Sequence, residues 1–475
     1  MSRERSAPAP RRMSDVEALM WNLEKDPHLA ATVANLTLLD RSPDRDRLRA
    51  RMAHAVAVVA RLRQRVVPAL GRLAPPEWRE DPDFDLDRHL RWMALPAPGD
   101  DPALRALVAA LVQQPFDRTR PLWEFTVIEG LPDGRAAMLL KLHHSITDGE
   151  GGLRMSEQFL DLERDAAAPM ARHEPEAPTP SAPPSLVGTT VDTLTHNLRR
   201  GAGIAQRAAA GAVGTLTRPD RLVAAGAGGV DLVRSAARQA LVVDRARSPL
   251  WTERSLRREV HLLQMPFRPA KEAARTLKVS LNDLIVAAAA GAAGALHRAA
   301  GTPVDELRVS MPVSTRQDGS VGGNAFAPAR VLVPVGIEDP VVRVRAIHDR
   351  LAAAKAERAI GAAEAVAGLA NLLPTSLLVR VARQQVETVD FTVSNVRGAP
   401  FPVYLAGARM EANHPIGPVA GTAWNLTVMS YDGHLDFGLH VDRAAVTDPA
   451  ALAAAVADEL AQLVEEAAPR RRRRS

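Results

Sequence analysis

No cysteine occurs in the 475 residues. Disulfide staples, a thiol nucleophile and thiolate zinc sites are thereby excluded, so packing must hold the fold together. Aromatic residues are scarce as well, at 4% with only two tyrosines. That is too few rings for a base-stacking surface, and no nucleic-acid partner is expected. Long hydrophobic runs are also missing: the longest, residues 284–296, has 13 residues and is rich in Ala and Gly. A bilayer span needs about 20 apolar residues, so this run reads as a buried helix. The basic start is followed by polar sequence and no apolar segment, so a secretory signal is not expected. The protein should be cytoplasmic.

What is there is charge, unevenly placed. The net charge is +5 and the pI near 10.0. The run Arg470, Arg471, Arg472, Arg473 and Arg474 accounts for it, and Arg3, Arg5, Arg11 and Arg12 oppose only Glu4 in the first twelve residues. The body between is slightly acidic. Two readings of the arginine tail stand side by side: a solvated tail, or a dock for anionic lipid contributing about 1 kcal/mol per basic residue.

Strand and helix signals alternate over 13–163. Residues 31–39, 123–129 and 135–144 read as strands, the last two split by the turn Pro132-Asp133-Gly134. Residues 44–65, 102–112 and 152–162 read as helices. Residues 164–187, rich in Pro, Ala and acidic groups, mark a linker, and 188–246 read as one or two crossing helices. Alternation resumes near Trp251. Helices are expected over 271–277, 282–298, 340–359 and 448–466, and strands over 308–312, 329–335, 389–394, 426–430 and 435–441. The plan is an α/β chain: a basic disordered start (1–12), an N-terminal domain (13–163), a linker with crossover helices (164–250), a C-terminal domain (251–468) and the arginine tail (469–475).

The segment Leu140-Lys141-Leu142-His143-His144-Ser145-Ile146-Thr147-Asp148-Gly149 concentrates the chemistry. Strand alternation puts Met138, Leu140, Leu142 and His144 on one face, and Lys141 and His143 on the other. Two adjacent strand histidines chelate one metal poorly, so no metal is expected. A histidine ending an apolar strand suits a general base. Asp148-Gly149 closes the strand with a tight turn. Asp148 reads as a structural partner for an arginine, with Arg316 the candidate.

His143-His144-Ser145-Ile146-Thr147-Asp148-Gly149 resembles the HHxxxDG motif of the coenzyme A-dependent acyltransferase superfamily, which condensation domains of peptide synthetases share. Further segments follow in order: Met13-Ser14-Asp15 through Glu24, Pro121-Leu122-Trp123, Ser280-Leu281-Asn282-Asp283, Met311-Pro312-Val313-Ser314-Thr315-Arg316, Ser394-Asn395-Val396, and Ser430-Tyr431-Asp432-Gly433 through Phe437-Gly438. Together they are similar to the bacterial wax ester synthase/acyl-CoA:diacylglycerol acyltransferase family over about residues 13–465. The resemblance implies two chloramphenicol-acetyltransferase-like domains, with mixed sheets flanked by helices and an active-site channel at their interface. It implies His144 as the base beside His143, Asp148 and Gly149, acyl-CoA as co-substrate with no further cofactor, and diacylglycerol or a long-chain alcohol as acceptor. A lipid-docking arginine tail suits such an acceptor, and peripheral attachment to a membrane or lipid droplet is expected. Asn282, Ser394 and Asn395 fall on matching segments and are expected to position the oxyanion or the acceptor. On the residues alone, Asn282 could instead cap a helix, and Ser394 and Asn395 could shape a turn. The chain departs from the family at Arg397-Gly398-Ala399, where Pro-Gly-Pro is usual, and at Leu19-Met20-Trp21, where an aromatic-leucine pair is usual. A carrier-protein-dependent condensation-type enzyme and a non-catalytic lipid-surface protein are the alternatives.

Overall fold

The computed structural model describes residues 12–69, 74–147, 149–167, 246–314, 326–356, 367, 370–371 and 374–467. Asp148, Arg316, the arginine tail and most of the expected linker and crossover helices lie outside them.

The first part runs α1 (Asp15–Leu23), β1 (Thr32–Leu39), α2 (Arg45–Val58), β2 (Gln64–Val67), β3 (Glu77–Glu80), α3 (Leu86–His89), β4 (Leu90–Ala94), α4 (Asp101–Gln113), β5 (Trp123–Glu129), β6 (Ala136–His143) and α5 (Gly149–Ser156). Ser14 opens α1 with a reciprocal cap: its hydroxyl accepts from Glu17 N and its own N–H donates to the Glu17 carboxylate. The helix expected over 44–65 ends at Val58, because Val59 turns extended and the chain enters β2. Arg12, expected within the disordered start, is among the described residues. Arg12 bridges to β3 and its guanidinium lies 2.8 Å from Glu77.

The second part runs β7 (Arg258–Pro266), α6 (Phe267–Leu277), α7 (Leu281–Ala299), β8 (Glu306–Ser314), β9 (Phe326–Pro334), α8 (Pro340–Ala356), α9 (Thr375–Val386), β10 (Phe391–Arg397), β11 (Tyr404–Leu405), β12 (Ala408–Ile416), β13 (Trp424–Tyr431), β14 (His434–Asp442) and α10 (Pro449–Ala467). The apolar run at 284–296 is the buried body of α7, packed between the second sheet, α8 and α10. Its small residues allow that closeness, since a Cβ on Gly294 would run into the Val335 carbonyl. Among the described residues no single helix is long and apolar enough to cross a membrane.

Two six-stranded mixed sheets form, ordered β11-β12-β1-β6-β5-β4 and β7-β14-β13-β10-β8-β9. The fold class matches the sequence expectation, but the sheets do not follow the chain halves. Residues 404–416, expected within the C-terminal domain, join the first sheet: β12 pairs antiparallel with β1, Thr37 opposite Asn413. The same strand crosses the second sheet, where Asn413 N donates to Asp436 at 2.7 Å and the His414 ring meets Phe437 O at 3.0 Å. A Cβ on Gly438 would collide with the Pro415 carbonyl, so β14 carries glycine where β12 passes. β12 therefore sews the two sheets together.

Candidate active site

Between the sheets lies a cavity of about 380 Å³. On the first sheet its wall is mostly apolar, with Val33, Met138, Leu140 and Leu142 in the lining. On the second it is polar, with Thr392 and Ser394 from β10 beside Asn425 and Thr427 from β13. Thr427 donates to Asn425 Oδ1 at 2.7 Å, and Asn425 donates to Pro418 O at 2.8 Å. Tyr431 closes one side. Its hydroxyl donates to Met410 O and accepts from Val403 N, each at 3.1 Å. Burial pushes that phenol up to about 12, so it stays a donor at neutral pH.

The alternation expected in β6 is observed. Met138, Leu140 and Leu142 face the cavity, while Lys141 and His143 face away. Lys141 is 2% exposed, donates to Gln114 O at 2.6 Å and lies 3.3 Å from Glu124. Burial lowers its ammonium pKa. His143 is fully buried, edge-on to Trp21 and Phe116. Its Nδ1 accepts from Ser145 N at 3.1 Å and sits 2.6 Å from Ser145 Oγ. Its Nε2 lies 2.7 Å from Glu24 Oε2. The chain Glu24–His143–Ser145 thus fixes the turn that follows β6.

His144 opens that turn. The ladder runs one step past β6, His144 N donating to Ala31 O at 2.9 Å, and the residue is half-buried. Leu142 and Thr147, on either side of it in sequence, line the cavity, and His144 itself is not part of the lining. Gly149 begins α5, which lies against β10.

The remaining candidates separate. Ser394 faces the cavity, but Asn395, the next residue of β10, points to the opposite face and is exposed. Along one strand the two side chains face opposite ways, so of the pair it is Ser394 that the cavity meets. Asn282 does not cap α7. Ser280 does, in a reciprocal cap with Asp283. Asn282 Nδ2 instead lies 4.0 Å from Met311 Sδ, beside the lining residues Ser310 and Pro312. No metal-ligand cluster of three or more His, Cys, Asp or Glu side chains occurs among the described residues. Sequence reasoning missed Asn35 and Asn413, and placed Glu24 in a family segment without assigning it a role. The alternation of Val33, Asn35 and Thr37 would have flagged the first, while nothing local to Glu24 announces a histidine far along the chain.

Residues 13–285 match the model of the wax ester synthase/diacylglycerol acyltransferase catalytic domain, and residues 322–464 match the C-terminal domain of the same family. The chain belongs to the wax ester synthase/diacylglycerol acyltransferase family. It is an acyltransferase of lipid metabolism. A Mycobacterium tuberculosis protein assigned by name as a diacylglycerol O-acyltransferase is 34% identical over 477 residues, covering 97% of this chain and 94% of that protein. A second from the same species is 30% identical over 460 residues, covering 92% of each. The wax ester synthase/diacylglycerol acyltransferase of Marinobacter aquaeolei VT8 shares the fold at TM-score 0.62 and 23% identity, covering 96% of this chain and 99% of that one. The first condensation domain of the calcium-dependent antibiotic synthetase does so at TM-score 0.59 and 16% identity, covering 98% of each.

Proposed function

We propose that this acyltransferase moves a long-chain acyl group from acyl-CoA to diacylglycerol or a long-chain alcohol, making triacylglycerol or wax ester. His144 takes the proton from the acceptor hydroxyl, and the oxygen attacks the thioester carbonyl. The tetrahedral intermediate collapses with loss of the C–S bond, and the imidazolium returns its proton to the departing thiolate. His143, held between Glu24 and Ser145, orients the turn. Ser394 supplies a hydroxyl toward the oxyanion from across the cavity, and Asn282 supports the same wall. The observation that carries this reading is the course of β6: it lays Met138, Leu140 and Leu142 along an apolar cavity, and His144 is the first residue after it.

The arginine tail and peripheral attachment to a membrane or lipid droplet belong to the same proposal, since the acceptor and product live in lipid. The test is thiol release from palmitoyl-CoA with each acceptor, followed with a thiol dye. A protein without cysteine contributes no background. His144→Ala should lower turnover by about 10²–10⁴-fold in a folded protein. Near wild-type turnover in that variant would remove His144 from the chemistry. Transfer only from an acyl-carrier protein would move the enzyme to the condensation type, whose fold it shares.

A further inference from the structure

The apolar side of the cavity carries a hydrogen-bonding cluster that acyl transfer does not use. Asn35 Nδ2 donates to Asn413 Oδ1 at 2.5 Å, and Thr37 Oγ1 donates to the same oxygen at 3.0 Å. Asn413 Nδ2 is left with a thioether, Met429 Sδ, at 3.2 Å, and sulfur is a weak acceptor. Asn35 Oδ1 is shut off from solvent and has no hydrogen-bond partner among the described residues. All four side chains line the cavity, beside Val33 and Leu140. A buried amide oxygen without a donor is costly, and native proteins satisfy nearly all of them. Asn35 itself lines the cavity, so turning its amide brings that oxygen within reach of a donor there.

The strand register sets how far this cluster lies from the reacting end. His144 bonds at the level of Ala31, Asn35 lies opposite Leu140 and Thr37 opposite Met138. At about 3.4 Å per residue, Asn35 and Thr37 stand roughly 14 Å and 20 Å along β1 from that level. An extended chain passes about three bonds per residue, which places Asn35 roughly 12 bonds away.

We propose that Asn35, Thr37 and Asn413 form a polar subsite selecting long-chain lipids that carry a hydroxyl about 12 bonds from the reacting centre. The proposal rests on His144 marking that centre. A hydroxyl donates to Asn35 Oδ1 and accepts from Asn413 Nδ2 in place of the thioether. Being donor and acceptor at once, it fits whichever way the Asn35 amide is turned.

The full-length enzyme would be given 12-hydroxyoctadecanoyl-CoA and octadecanoyl-CoA in competition for one acceptor. The hydroxylated donor should win by about tenfold in kcat/KM, as expected for satisfying one buried polar group. Asn35→Leu and Thr37→Val should each bring the ratio toward one. Equal use by the wild type, or a ratio unmoved in both variants, would make the cluster a cross-strand stitch between β1 and β12 and overturn the subsite. Calorimetric binding of 12-hydroxyoctadecanoate and octadecanoate to His144→Ala separates this from the catalytic reading. Discrimination in binding without turnover of either acyl-CoA by the wild type would sink the transferase chemistry and keep the subsite. Equal binding would sink the subsite alone.

Discussion

The two walls of the cavity are built from strands of the same kind, yet their alternation runs in opposite senses. On the first sheet the cavity side of β6 is apolar, and the far side at its end holds Lys141 and His143, both buried against glutamates. On the second sheet the cavity side of β10 and β13 carries hydroxyls and amides, and the far side packs Phe391, Val393, Trp424 and Leu426 onto the Ala-rich α7. The side of a strand that is apolar depends on what it faces. A hydrocarbon chain lies well along the first wall, while a polarised carbonyl finds its donors on the second.

The comparison holds only while β12 keeps the walls in register, so the largest effect should come from breaking that seam. Gly438→Ala drives a methyl into the Pro415 carbonyl, and neither backbone can yield without moving a sheet. A loss of about 3 kcal/mol or more is expected, read as a large fall in Tm or in soluble yield. A Tm within about 2 °C of wild type would show that the sheets are joined elsewhere.

The seam should also respond to pH. His440 contacts Gly417 O at 2.9 Å from β14, and burial pulls its pKa down to about 4. His414, on β12, is lowered for the same reason. The sign follows from linkage. Between the ordinary histidine value and about 4, the unfolded chain binds a proton that the native state refuses, so stability falls as pH falls. Below about 4 both states are protonated and the loss stops. His440 alone accounts for about 3 kcal/mol across that window. His440→Gln keeps a donor for Gly417 O and should flatten the decline of Tm between pH 6.5 and 4. Parallel profiles for the two proteins would clear His440 of that role.

The sequence showed the walls better than the seam. Strands such as 123–129, and the split of Leu140 and Leu142 from Lys141 and His143, were legible because alternation is a local property. β12 was not read at all, although buried Ala408, Met410, Ala412 and His414 alternate along it. The exposed Arg409 and Glu411 complete that alternation, which went unread; only Pro415 counts against a strand. Its membership in the first sheet is a long-range fact that no local pattern encodes. The same holds for Glu24 at His143. A motif names residues without regard to the face each one takes, and so did not separate Ser394 from Asn395. The readings that fell on Asp148 and Arg316 concern residues outside those described.

The smallest effect tests the division of labour directly. Leu140→Ser removes apolar surface from the first wall and should raise KM for long-chain acyl-CoA by about tenfold, with little change for a short-chain donor, since the loss tracks buried hydrocarbon. Ser394→Ala removes a hydroxyl from the second wall and should lower kcat by about tenfold while KM stays near wild type, because a group that binds the developing oxyanion is missed only in the transition state. The two variants thus predict opposite splits. If both raise KM alike, the second wall is also a lipid-binding surface and its hydroxyls are structural. If Ser394→Ala leaves both constants alone, the donors for the oxyanion come from Asn282 or from backbone beside it, and the polarity of β10 serves only the pairing of Ser394 with Thr427 across the strands.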